Sequence, residues 1–117
     1  MGLDTSHDCF HGGYGTFHQW RQLICELAGY GNMHTYKGCG GTKPWPSKKK
    51  HPLVILLAHS DCDGVIKAKD CGHIVMALQK ILPKLDKPED RMYLEFTKSW
   101  IDGLIDAAMR HEDVDFH

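Results

Sequence analysis

The stretch Leu53–Leu82, LVILLAHSDCDGVIKAKDCGHIVMALQKIL, decides the fold. It opens on a continuous apolar run, Leu53–Ala58, which by itself suits a buried strand or a buried helix. Turn chemistry follows at Asp61-Cys62-Asp63-Gly64. From about Asp70 to Leu82 the residues Cys71, Ile74, Val75, Leu78, Ile81 and Leu82 recur three and four apart, the stripe of an amphipathic helix. Asp70 suits the N-cap, and Pro83 falls where such a helix must stop. Laid against the twelve-residue calcium loop, His59–Asp70 puts Asp61 and Asp63 at the third and fifth positions. Gly64 takes the sixth, where the chain turns sharply, Ile66 the eighth and Asp70 the twelfth. That frame favours a helix for the apolar run and predicts an EF-hand-like helix–loop–helix around residues 53–82.

The same loop departs from calcium chemistry. His59 replaces the first carboxylate, and a nitrogen donor suits a hard cation poorly. Lys67 puts a positive charge at the ninth position, and Asp70 is one methylene shorter than the usual bidentate glutamate. Two readings stay open. Asp61 and Asp63 brace the turn by accepting backbone N–H bonds, or a transition-metal ion binds, a soft one such as zinc through His59, Cys62 and Cys71, or manganese through His59, Asp61 and Asp63.

Outward from this segment, Phe17, Trp20, Ile24, Leu27 and Ala28 predict a first helix over 14–28, ended by Gly29 and Gly31. Pro88-Glu89-Asp90 starts the longest helix, with proline and two acids in its first turn. Its stripe of Tyr93, Phe96, Trp100, Ile101, Leu104, Ala107 and Ala108 serves a core or a contact between copies in a homo-oligomer equally well. Val114–His117 alternates as an edge strand would. Residues 29–51 carry five lysines, Lys37, Lys43, Lys48, Lys49 and Lys50, and no acid. This basic, Gly- and Pro-rich loop holds a candidate short strand at 33–37, and a loop of this length has a binding or closing role or a solvated tip. The fold class expected is a mainly α single domain over 1–117, of about four helices, with minor β structure from the termini and the long loop.

Length and composition agree. A chain of 117 residues is one domain's worth and buries roughly two-thirds of its unfolded surface. Hydrophobic residues at 42% and charged residues at 25% exclude a disordered, collagenous or coiled-coil chain. No apolar run nears the length of about 20 residues that spans a bilayer, and residues 1–8 lack the basic and apolar regions of a secretory signal. A soluble, cytoplasmic protein is expected, with its cysteines reduced. Net charge is −1, so nucleic acid is not a favoured partner.

Nine histidines and five cysteines are the anomaly. His7, His11, His59 and His117 lie among Asp, Cys and Gly, whereas His18, His34, His51, His73 and His111 lie on helices or in the basic loop. In an extended chain His7, Cys9 and His11 would share one face, so Asp4, Thr5, Ser6, His7, Asp8, His11 and Tyr14 form a candidate ligand-binding segment. Asp115 and His117 are a candidate carboxylate–imidazole pair. Tyr36 and Trp45 in the basic loop supply stacking surfaces. The reading that follows is capture of a small anionic ligand, a cyclic nucleotide or an ADP-ribose derivative. The alternatives are a metal-dependent or histidine-based phosphoester hydrolase, with His7, His11 and His59 as catalytic groups, and a helical protein-interaction module.

The blocks Gly2-Leu3-Asp4-Thr5-Ser6-His7-Asp8-Cys9, His59-Ser60-Asp61-Cys62-Asp63-Gly64 and Val114-Asp115-Phe116-His117 resemble a group of small phage-encoded proteins. The middle block also resembles actinobacterial proteins more loosely. The resemblance leaves residues 29–51 outside it and implies an accessory role against host defence, such as sequestering or cutting a nucleotide immune signal. Read as a strand end, His59–Gly64 is similar to the first manganese-binding motif of the DHH-type phosphoesterases, over some ten residues. The Asp-His-His motif of that family is absent from this sequence.

Overall fold

Phe17, Trp20, Ile24 and Cys25 fall on one side of a helix, and burying them together is what forms α1, Tyr14–Leu27. The computed structural model describes residues 2–117 and continues with α2 (Leu53–Leu57), α3 (Ala68–Ile81) and α4 (Arg91–Arg110). Four short strands, β1 (Gly2–Asp4), β2 (His11–Gly13), β3 (Val65–Ile66) and β4 (Val114–Asp115), complete it. The chain is mainly helical, with its β structure near the termini and the 53–82 segment. The described helices include none long and apolar enough to cross a membrane.

The apolar run at 53–57 is helical, and a residue far from it explains why the helix can stop there. Arg21, buried on α1, donates from Nη1 to the carbonyls of Leu57 at 3.2 Å and His59 at 2.6 Å. It thereby satisfies acceptors that the end of α2 leaves open. Its guanidinium also lies 4.3 Å from the centre of the Phe17 ring. Burial lowers its hold on the proton, and the carbonyls and the ring compensate.

The cap of α3 differs from expectation for the same kind of reason. Helix α3 starts at Ala68, so Asp70 sits inside its first turn. The cap comes from Asp113, whose Oδ1 accepts the Ala68 N–H at 2.8 Å. In the basic loop, the expected strand at 33–37 is instead a 3-10 turn, Met33–Thr35, followed by two isolated bridges, Tyr36↔Lys43 and Lys37↔Gly41.

Strand β1 pairs antiparallel with β2, Leu3 opposite Gly12, and β3 pairs antiparallel with β4, Ile66 opposite Val114. The C-terminal segment is not an edge, because its other side also pairs. Thr5 bridges to Phe116, and Asp4 and His117 exchange backbone bonds of 2.9 and 2.8 Å. Strand pairing thus brings Phe10 and Phe116 onto α1 and α4.

There the rings of Phe10, Phe17, Trp20, Trp100 and Phe116 form one cluster. Trp20 and Trp100 stack at 5.6 Å and 9°, and Phe17 lies 5.8 Å from Trp100. Each such pair contributes about 0.5–1.5 kcal/mol beyond the area it buries. The Trp20 indole N–H donates to Thr97 Oγ1 at 2.9 Å, and that hydroxyl donates to the Tyr93 carbonyl at 2.7 Å.

Gly103 on α4 lets the 6–9 segment lie against the helix. A Cβ there would meet the His7 carbonyl at 2.8 Å and Cys9 Cα at 2.9 Å, both backbone atoms that cannot swing aside. Gly103→Ala is therefore expected to destabilise the protein by about 1–3 kcal/mol through overpacking, despite alanine's better helix propensity. Gly72 of α3 has open space at its Cβ position. Gly72→Ala should stabilise by about 0.5–1 kcal/mol. Paired urea melts check both, and equal effects of the two substitutions would contradict the packing argument.

Candidate functional site

The N-terminal segment does not run extended past Thr5. Ser6–Asp8 folds into a 3-10 turn in which His7 and Asp8 take left-handed backbone angles, φ 60° and 54°. Neither is glycine, so each conformation costs about 1–2 kcal/mol that the surroundings must over-determine. They do so in several ways. Thr5 Oγ1 accepts the Phe10 N–H at 3.0 Å, and Ser6 Oγ accepts the Asp115 N–H at 2.8 Å. Ser99 Oγ on α4 lies 2.8 Å from the Cys9 carbonyl and 3.1 Å from that of Asp8, a shared donation.

The turn sends the alternating residues in different directions, which corrects the expectation of a common face. His7 faces α4, with Nδ1 2.7 Å from Asp106 Oδ2, Nε2 3.5 Å from Glu112 Oε1 and a side chain only 10% exposed. Asp106 also takes Arg110 Nε at 2.9 Å, and the two partners hold its carboxyl below the ordinary range. Cys9 enters the core, where burial pushes its thiol up to about 12. His11 stays exposed between Asp4 Oδ1 at 2.7 Å and Asp8 Oδ1 at 3.1 Å. Asp4, Asp8 and His11 thus form one cluster, and His7 and Asp106 form another.

The 59–70 loop has the helix–loop–helix outline, with Gly64 at φ 84° where the sharp turn was expected. Its donors do not converge. His59 directs Nδ1 to the Ser60 carbonyl at 2.8 Å and Nε2 to that of Val65 at 3.0 Å, and its ring lies 4.0 Å from Phe116. Cys71 is buried, its thiol raised to about 11 by desolvation, and it donates to the Lys67 carbonyl at 3.4 Å. Cys62 is exposed beside Ser60. Among the described residues no group of three or more His, Cys, Asp or Glu is arranged to hold a metal ion. His59 braces the loop and the C-terminal strand.

Of the remaining predicted residues, Tyr14 packs against the core and Tyr36 is buried, its hydroxyl donating to the Tyr30 carbonyl. Trp45 stacks on Tyr36 at 4.3 Å and 16°. This pair therefore ties the basic loop together. His117 holds Asp4 through its backbone, and its ring is not bonded to Asp115.

Two larger clefts lie at opposite characters of charge. One, of about 560 Å³, is bordered by His7, Asp8, Glu95, Asp102 and Asp106, with Lys98 the cation among its lining. Its acids repel phosphate. The other, of about 370 Å³, lies between residues 50–53 and α3 and is lined by Lys50, His51, His73, Lys80 and Lys84, with no acid among the described lining residues. Leu53, Met76, Ala77 and Ile81 form its apolar part, and Tyr30 donates or accepts at His51 Nδ1 over 3.2 Å. Sequence reasoning missed this cleft because it joins three segments, residues 28–30, 50–53 and 73–84. A signal existed on one of them: His73, Lys80 and Lys84 are spaced seven and four apart, one basic stripe along α3 and its exit.

The carboxylates of Asp4 and Asp8 raise the His11 pKa from its ordinary value. Their stabilisation of the turn is full below the unfolded value near 6.5 and is lost as pH rises through the higher folded value. In a histidine NMR titration His11 should show a midpoint above 6.5, lowered by Asp4→Asn. A midpoint at or below 6.5 would contradict the pairing.

No protein-family model, no curated protein and no solved structure matches this chain.

Proposed function

We propose that this chain captures a small anionic ligand, a nucleotide such as a cyclic nucleotide or an ADP-ribose derivative, in the cleft between residues 50–53 and α3. The observation that carries the reading is the one-sided chemistry of that cleft: three lysines and two histidines over an apolar floor. Its volume of about 370 Å³ falls in the range that holds a small organic ligand. Lysines supply point charges for phosphate, and the apolar floor with Tyr30 supplies a surface for a base. The chain as a whole carries −1, so this face contrasts with the rest of the molecule and steers anions to itself. A phage-type accessory factor that sequesters a nucleotide immune signal would use such a cleft.

A second reading, phosphoester hydrolysis, is favoured by one observation, the strained His7 held by Asp106 at 2.7 Å. The acids around His7 weigh against an anionic substrate there. Capture therefore stands first.

Equilibrium titration with a panel of cyclic nucleotides and ADP-ribose derivatives tests both. Lys80→Glu is expected to weaken binding at least about tenfold, since one charge-assisted hydrogen bond contributes about 1.5–3 kcal/mol. His7→Ala should leave binding unchanged, and the ligand should be recovered intact on heating. Converted ligand, with conversion lost in His7→Ala, would establish hydrolysis instead. Binding that ignores Lys80→Glu would remove the cleft from consideration.

A further inference from the structure

We propose that His18 and His34 form a two-imidazole site for a divalent transition-metal ion of the zinc class, linking α1 to the basic loop. His18 projects from α1 and His34 from the Met33–Thr35 turn, and their Nε2 atoms face each other at 3.4 Å. A tetrahedral zinc ion with Zn–N bonds of about 2.0–2.1 Å spaces two nitrogens about 3.3–3.4 Å apart. The same separation is long for a direct hydrogen bond, whose distances centre near 2.9–3.0 Å. The ring centroids are 5.0 Å apart with planes at 48°, so the two rings meet at an angle, as two ligands of one ion do.

The protonation pattern agrees with the geometry. His34 Nδ1 lies 3.0 Å from the Cys39 carbonyl, so in the neutral ring the N–H sits on Nδ1 and a lone pair is left on Nε2. A carbonyl behind the outer nitrogen is the usual support of a metal-binding imidazole. The backbone N–H of His34 donates to Asn32 Oδ1 at 2.9 Å, which fixes the turn that presents the ring.

His18 lines a pocket of about 280 Å³ together with Arg21, Cys39 and Asp61. With two protein ligands fixed, the ion keeps its remaining positions open for water. Imidazole donors select zinc, cobalt, nickel or copper over calcium and magnesium. A bound ion would fix residues 29–51 against α1 and so extend the order of the loop that carries Lys50 and His51. The proposal does not depend on nucleotide capture.

The test is a zinc titration of the full chain after chelator treatment, followed by calorimetry and by thermal melting, with cobalt as an optical probe. One ion per chain should bind, the melting temperature should rise, and cobalt should give the intense visible bands of a tetrahedral site. His18→Gln and His34→Gln should each weaken binding at least about tenfold, while His73→Gln, on α3, leaves it unchanged. Circular dichroism of each variant without metal separates lost binding from lost folding. Absence of one-to-one zinc binding in the native chain, or binding that survives both substitutions in folded protein, would overturn the proposal, as would calcium binding as tight as zinc.

Discussion

The stacked pair Trp20–Trp100, with Phe10, Phe17 and Phe116 packed around it, is the contact on which the rest of the structure depends. Three of these rings come from long helices and two from short segments near opposite ends of the chain. Helices α1 and α4 can bury Trp20, Phe17 and Trp100 only if something covers the far side of the cluster. Phe10 and Phe116 do that, and each is fixed by backbone pairing: Thr5 with Phe10 and Phe116, Asp4 with His117. The small β structure is therefore a device for holding two aromatic side chains in place. Without the rings the strands, two or three residues long, would be far below independent stability.

This arrangement determines which polar groups are free to act. The most polar stretch of sequence, residues 4–11, has most of its groups engaged in keeping a strained turn pressed on α4. Thr5 and Ser6 accept backbone N–H bonds, His7 meets Asp106, and His11 bridges Asp4 and Asp8. Dense functionality there reads as architecture first. A second polar set, Lys50, His51, His73, Lys80 and Lys84, lines the α3 cleft, where Tyr30 contacts His51 and Lys84 donates to the Leu27 carbonyl. Charge segregation between the acidic cleft beside His7 and the basic cleft on α3 gives the molecule two faces of opposite sign, although its net charge is close to zero.

The helices were legible because a three-to-four spacing of Phe17, Trp20 and Ile24, or of Ile74, Leu78 and Ile81, encodes burial locally. The caps were not. Asp70 satisfied every local rule for an N-cap, yet Asp113 takes that role from 45 residues away. The His7–Cys9–His11 alternation was misleading because period-two geometry presumes an extended chain, and two left-handed residues break it. The Leu53–Ala58 run needed Arg21 to end it, and the basic cleft and the His18–His34 pair each join segments distant in sequence. Periodicity carries information within one element, while a site is assembled between elements. Tertiary contact decided every one of these cases.

The central claim is that anion capture belongs to the α3 cleft and not to the polar N-terminal segment. Amide chemical-shift mapping with an ADP-ribose derivative on isotope-labelled protein addresses that location directly. The account predicts saturable shifts clustered at Tyr30, Lys50, His51, His73, Lys80 and Lys84, with residues 4–11 and Asp106 unmoved. Shifts concentrated at His7, His11 and Asp106, or none at saturating ligand, would contradict it.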